Sequence, residues 1–194
     1  MMSDQTEMVQ EEKKENEERI TFSQILYDWS GTLLMAIVVI LLIMTFFLRQ
    51  ITVKGDSMND TLQSQDRLLV YSFMYEPQNG DIVIVTHGES LDEPIIKRVI
   101  AKAGQRLQIN YETNEVAVDG VVLQESYIKG RTIKLQNPTP IPEVIPAGYV
   151  FVMGDNREDS LDSRSVRVGL VPVENIIGKA FWRIQPFETF GGVQ

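Results

Sequence analysis

The chain has 194 residues, 27 acidic against 18 basic, a formal net charge of −9 and a hydrophobic fraction of 43%. That length holds one ordinary domain and a short anchor, with enough apolar residues for a packed core, and the acidic balance advertises no basic face for nucleic acid. The absence of cysteine removes disulfides, thiol catalysis and Cys-based zinc sites, and a single histidine, His87, leaves almost nothing for a histidine triad or a multi-histidine metal site.

Residues 1–28 read as an acidic tail, largely disordered, because the stretch "SDQTEMVQEEKKENEER" (Ser3 to Arg19) has few residues that could join a core. Residues 29–48 read as a membrane anchor. From Gly31 to Leu48 the sequence is "GTLLMAIVVILLIMTFFL", with no charge between Asp28 and Arg49. About 18 apolar residues is near the lower limit for crossing a hydrocarbon core about 30 Å thick. Tyr27 and Trp29 stand at one end as interfacial anchors. The run is too long for the apolar region of a cleaved leader, no small-x-small site follows it, and it is apolar on all faces, unlike an amphipathic core helix. Lys13, Lys14 and Arg19 before it nearly balance Arg49 and Lys54 after it, with a slight lean toward a cytoplasmic N-terminus.

Residues 49–194 have strand character throughout. "RLLVYSF" (67–73), "DIVIVTH" (81–87), "PIIKRVIA" (94–101), "RLQINY" (106–111), "EVAVDGVVL" (115–123) and "GYVFVMGD" (148–155) are rich in β-branched and aromatic residues. Asn79-Gly80 marks a turn, and Asp119-Gly120 marks a tight hairpin. "NPTPIPEVIPAG" (137–148) holds Pro138, Pro140, Pro142 and Pro146, so it is an extended connector. His87, beside Gly88, reads as a surface-loop residue. The expected fold is mainly β behind one N-terminal transmembrane helix.

A serine hydrolase without histidine or cysteine needs another base, and a neutral lysine can serve. Holding lysine neutral near pH 8 requires a shift of about 2–3 units from 10.4, or about 3–4 kcal/mol, which burial can supply. "PIIKRVIA" contains such a lysine. Alternation places Ile95, Lys97 and Val99 on one face and Ile96, Arg98 and Ile100 on the other, so each face is apolar with one cation. A buried Arg98 would need an anion; the other reading is two ordinary cations at a sheet rim. "MGDNREDSLDSR" (Met153 to Arg164) is crowded with Asp, Asn, Ser and Arg. It reads either as a solvated loop or as a network that orients a base.

"GDSMNDTL", "GDIVIV", "IIKRVIAKAG" and "GDNREDSLDSR", in this order behind an N-terminal apolar run, resemble bacterial type I signal peptidase, the membrane-bound serine endopeptidase with a Ser/Lys dyad, in its single-span Gram-positive form. The likeness runs from the anchor to about Lys179. It implies a signal-peptidase-like β-barrel or sandwich, extracytoplasmic, with a small β-hairpin insertion at about 110–147. It implies cleavage of preprotein signal peptides after small residues of Ala-x-Ala type, at the bilayer, by a monomer without metal or cofactor. Ser57 would be the nucleophile, Lys97 the general base and the Ser57 backbone N–H part of the oxyanion hole. Ser160 would orient the Lys97 amine, and Gly154 would let Lys97 pack closely. Asp155 would pair with Arg98 and Asp162 with Arg164. Val53, Met58, Leu62, Ile95 and Ile96 would shape the substrate pockets.

The chain departs from that pattern at Asp60, where proline is usual, and at "AKAGQ" (101–105). A negative charge at Asp60 is expected to favour the protonated form of Lys97. Gly55 stands where some members carry a hydroxyl residue that aids the oxyanion, a substitution usual in the Gram-positive form. Two rivals are a non-catalytic homologue that binds or assembles at the membrane and a self-cleaving protein of the related Ser/Lys repressor fold.

Overall fold

The structure is a computed structural model that describes residues 22–86 and 93–193. The expectations for residues 1–21 of the acidic tail and for His87 lie outside the described residues, whereas residues 22–28, expected to be tail, are helical. The described residues fall into two compact units that part between Phe46 and Phe47.

The described part of the first unit is helical: α1 runs Phe22–Phe47, 26 residues without a charge after Asp28, and its last residue belongs to the second unit. It starts one to two turns before the expected anchor, so Tyr27, Asp28 and Trp29 lie inside the helix. Three hydroxyls in it donate back to their own helix: Ser30 Oγ to the Tyr27 carbonyl, Thr32 Oγ1 to that of Asp28 and Thr45 Oγ1 to that of Leu41. Such bonds satisfy a hydroxyl without water. Among the described residues no helix is long and apolar enough to cross a membrane. The expected span therefore rests on the uncharged run of the sequence.

The second unit is β. Its strands are β1 Leu48–Thr52, β2 Arg67–Tyr71, β3 Ile82–Val85, β4 Ile95–Lys102, β5 Leu107–Asn110, β6 Glu115–Val118, β7 Val121–Val122, β8 Tyr149–Met153, β9 Val171–Pro172, β10 Ile176–Gln185 and β11 Gly191–Gly192. One antiparallel sheet runs β1-β2-β10-β3-β4-β8-β9, with β11 beside β10. The path has two free ends, so the expected barrel or sandwich is a curled sheet without a closed ladder. Residues 107–122 form a separate three-stranded sheet, β5-β6-β7. The expected hairpin insertion thus has a third strand and starts ahead of residue 110. Asp119 and Gly120 turn β6 into β7 with φ of 52° and 79°, as the Asp-Gly pair predicts.

The β10 strand is the longest, and it was not among the expected strands. Its segment "IIGKAFWRIQ" mixes glycine, cations and aromatics without a clean alternation, which hides it from a period-two reading. It pairs β2 on one side and β3 on the other, with register shifts near Ile177, Phe181 and Ile184. Bulges of this kind add bend and twist, and here they curl the sheet. Gly178 sits at the tightest point. A Cβ there would lie less than 3.0 Å from the Tyr71 carbonyl.

Three apolar clusters fill the unit. One joins Val53, Met58 and Leu62 to Leu68, Ile84 and Ile96. A second joins Phe151, Ile100 and Met153 to the small sheet. A third joins Val83, Val99 and Val152. Ile96 and Val99 enter different clusters, as strand alternation requires; a register shift at Ile100 sends that residue to the second.

Gly178→Ala should press β10 off β2 and lower stability by about 1–3 kcal/mol, the usual scale for overpacking. A thermal or denaturant melt reads this directly, and an unchanged midpoint would mean that the two strands can part without loss.

Candidate active site

The chain leaves β1 at Thr52 and is still held at Val53, whose N–H donates to the Asp66 carbonyl at 2.8 Å and whose carbonyl accepts from Gln65 N–H at 2.9 Å. Gly55 takes φ +78°, a conformation open to glycine. A turn follows, closed by Asn59 N–H to the Asp56 carbonyl and Leu62 N–H to the Met58 carbonyl. Met58 and Leu62 are fully buried and peg the turn to the first cluster. Ser57 is left half-buried on its outer side.

Lys97 reaches Ser57 from the middle of β4. Its Nζ lies 2.7 Å from Ser57 Oγ and 2.7 Å from the Ile96 carbonyl oxygen. The residue is 2% exposed. Burial pushes its pKa down from the ordinary 10.5 to about 8; Asp162 and Asp155 pull it up and Arg164 pushes it down, but desolvation is the larger effect. A neutral amine at this distance can accept a proton from the Ser57 hydroxyl.

The acidic loop after β8 is a buried network, not a solvated loop. Arg98 forks onto Asp155, with Nε to Oδ1 at 2.9 Å and Nη2 to Oδ2 at 2.6 Å. Arg164 forks onto Asp162 at 2.9 and 2.8 Å, and Asp162 Oδ2 also accepts the Gly154 N–H. Both expected pairs are present, and all four side chains are buried. The loop is tied to the serine turn. Asn156 donates its N–H to the Ser57 carbonyl and its Nδ2 to the Asp56 carbonyl, and Thr61 Oγ1 donates to Asp155 Oδ2 at 2.6 Å.

Three expected placements differ. Ser160 is buried, but its Oγ has no hydrogen-bond partner among the described residues, so it does not hold the Lys97 amine here. The amine spends its contacts on Ser57 and Ile96. Gly154 answers a close approach, but to other atoms: a Cβ there would lie less than 3.0 Å from Ser160 Oγ and the Ser57 carbonyl, with Lys97 not among its nearest neighbours. Leu62 is core and does not line the cleft.

The cleft itself has a volume of about 470 Å³ and runs between residues 51–58 and 93–97. Val53, Met58, Ile95 and Ile96 line it together with Ile84, Ser57 and Lys97. On one side stands the edge strand β1 with its extension. On the other, Ile95 to Lys97 pair with β3 but precede the first β8 partner, Arg98. The gap is therefore flanked by strand edges.

Asp60 does not act on Lys97. Its carboxylate turns to Lys129 Nζ, 3.1 Å away, and Asp155 and Asp162 are the carboxylates that move the lysine. The Asn59–Asp60 peptide is cis. Several residues of the site were not legible in the sequence. Arg157, buried, is paired with Glu125 through Nη1 at 3.0 Å and Nη2, and it also binds Thr132 Oγ1 and the Gly154 carbonyl. Tyr127 lies under the Arg98 guanidinium at 3.9 Å. Lys129 donates its N–H to the Asp155 carbonyl. Residues 125–132 thus strap the loop from outside. Their sequence, without periodicity or motif, carried no signal of this.

Residues 26–185 match the family described as signal peptidase, peptidase S26. The chain belongs to this family. Among its relatives, a probable signal peptidase I-1 of Synechocystis sp. is 40% identical over 172 residues, covering 82% of this chain and 83% of that one. Signal peptidase IB of Staphylococcus aureus is 31% identical over 182 residues, covering 85% and 92%. A signal peptidase I structure from Enterococcus faecalis V583 aligns with a TM-score of 0.45 and 24% identity over 54% of this chain and 97% of that one.

The buried lysine has a thermodynamic consequence. Between about pH 8 and 10.5 the unfolded chain binds the Lys97 proton and the folded chain does not, so stability rises with pH across that window. Below it, burial of the cation costs up to about 3 kcal/mol. Lys97→Met should therefore stabilise the protein at pH 7 and lose that advantage by about pH 10.5. Denaturant melts of both forms across this range test it; a difference that does not change with pH would mean the lysine titrates normally.

Proposed function

We propose that the chain is a membrane-anchored serine endopeptidase that removes N-terminal signal peptides from exported preproteins after small residues, with Ser57 as nucleophile and Lys97 as general base. The observation that carries this is the 2.7 Å contact between Ser57 Oγ and a lysine amine held at about 8 by burial. Neutral Lys97 takes the Ser57 proton as Oγ attacks the scissile carbonyl. The oxyanion draws on the Ser57 backbone N–H, for which the described residues supply no acceptor. Protonated Lys97 then gives its proton to the leaving amine, and a water, deprotonated by Lys97, releases the acyl group from Ser57.

The cleft supports a substrate bound as an added strand between β1 and β4, held through main-chain hydrogen bonds. Its floor is apolar, which suits small uncharged side chains such as alanine. Anchoring is supported by the sequence from Gly31 to Leu48, an apolar run without a charge. Ser57 follows Leu48 by nine residues in the chain, a short tether that suits a site acting where a signal peptide leaves the bilayer, with the N-terminus cytoplasmic and the β unit outside. Phe73, Met74, Phe187 and Phe190 are exposed apolar side chains of the β unit suited to a lipid interface. A non-catalytic binding role is disfavoured, because it gives no reason to bury a lysine against a serine.

Ser57→Ala and Lys97→Ala should each lower preprotein cleavage by about 10⁴-fold or more, and the double variant should be no worse, since the two act as a unit. Cleavage by Lys97→Ala near the wild-type rate would remove the dyad. In the wild type kcat/KM should climb with pH through a midpoint of about 8, as the amine becomes neutral. Asp60→Asn should leave that midpoint in place, because its charge faces Lys129; a downward move would restore the influence on Lys97 that the sequence suggested.

A further inference from the structure

Two charged side chains face each other across the mouth of the cleft and have no part in the proposed chemistry. Lys54 Nζ lies 3.0 and 2.8 Å from the two carboxylate oxygens of Glu93. Lys54 stands on the extension of β1 and Glu93 just ahead of β4, and both line the cleft. Their side chains are 70% and 61% exposed, whereas Val53, Met58, Ile84 and Ile96 below them are buried. The cleft thus has an apolar floor and a rim with one charge of each sign.

A strand laid between these two segments alternates its side chains. Those that face the floor meet Val53, Met58, Ile84 and Ile96. The side chain between two floor-facing residues turns to the rim, with Lys54 on one side and Glu93 on the other. An exposed ion pair is screened by water and is weakened by the entropy of ordering two long side chains, so it parts easily. Once parted it offers a cation and a carboxylate to whatever stands between them.

We propose that Lys54 and Glu93 read the charge of the substrate's rim-facing residue, the one between the two small residues that precede the scissile bond: Glu93 receives a basic side chain and Lys54 an acidic one. This rests on the peptidase function proposed above and adds a substrate feature to it. An apolar side chain at that position displaces the pair without replacing either contact, so both charged classes are favoured over bulky apolar ones.

The test uses the full-length chain in detergent and peptides that share one Ala-x-Ala cleavage site with Ala, Lys or Glu at x. The wild type should cleave the Lys and Glu peptides within about twofold of each other, because each finds a partner of similar strength. Lys54→Glu should raise the Lys-to-Glu ratio of kcat/KM by about fivefold, and Glu93→Lys should lower it by about as much, the scale of an exposed ion pair expressed as a ratio. The double reversal should bring the ratio back toward wild type. Should a reversed variant fail to fold, Lys54→Gln and Glu93→Gln carry the same test: the first should weaken selectivity for Glu, the second for Lys. If the wild type cuts the Ala peptide and no variant moves the ratio, the rim does not read charge and the inference falls. If the wild type cuts none of the peptides while remaining folded, the peptidase function falls and takes the inference with it.

Discussion

The site depends on keeping one lysine amine out of water. Lys97 sits in the middle of β4, 2% exposed, and its pKa falls from 10.5 to about 8 although two carboxylates pull the other way. Those carboxylates are not free to neutralise it. Asp155 is forked by Arg98 and Asp162 by Arg164, both pairs buried. A buried carboxylate left unpaired would draw a proton onto the nearest base; paired with an arginine, which stays charged, it holds the loop together with a much smaller net pull. Desolvation then decides the balance.

The same loop fixes where the serine stands. Asn156 binds both the Ser57 and Asp56 carbonyls, Thr61 binds Asp155, and Gly154 leaves room between the Ser57 carbonyl and Ser160. From outside, Arg157 locks the loop to Glu125 and Thr132, and Lys129 adds a main-chain bond to Asp155. Buried polar networks hold a geometry more tightly than apolar packing alone, because each displaced group would be stranded without a partner. The serine turn, the acidic loop and the strap form one connected structure.

The curl of the sheet completes the arrangement. β10 pairs β2 and β3 at once and bends through its bulges, so β1, at one end of the sheet, comes to face the start of β4 across the cleft. Both flanks have strand edges available for main-chain pairing, and the floor between them is apolar.

Much of this was legible in the sequence, because it depends on local pattern. Strand alternation located the lysine in an apolar run, the Asp-Gly pair located the hairpin, and the motifs at Ser57 and Gly154 to Arg164 pointed to the family and to the two Arg–Asp pairs. What the sequence by itself determined, then, was the residue types that chemistry needs and the short segments that carry them. Only the tertiary structure decided which of them meet. β10 was not delimited as a strand because its bulges break the period-two pattern. Glu125, Tyr127, Thr132 and Arg157 were invisible as a network because their partners lie 25 to 32 residues away in the chain. Leu62, Ser160 and Gly154 were assigned to the wrong neighbours, and Asp60 to the wrong charge, for one reason. Burial and partner choice are properties of the packed chain: a side chain three residues from the serine in sequence turns to Lys129, while a lysine 40 residues away lies 2.7 Å from its hydroxyl.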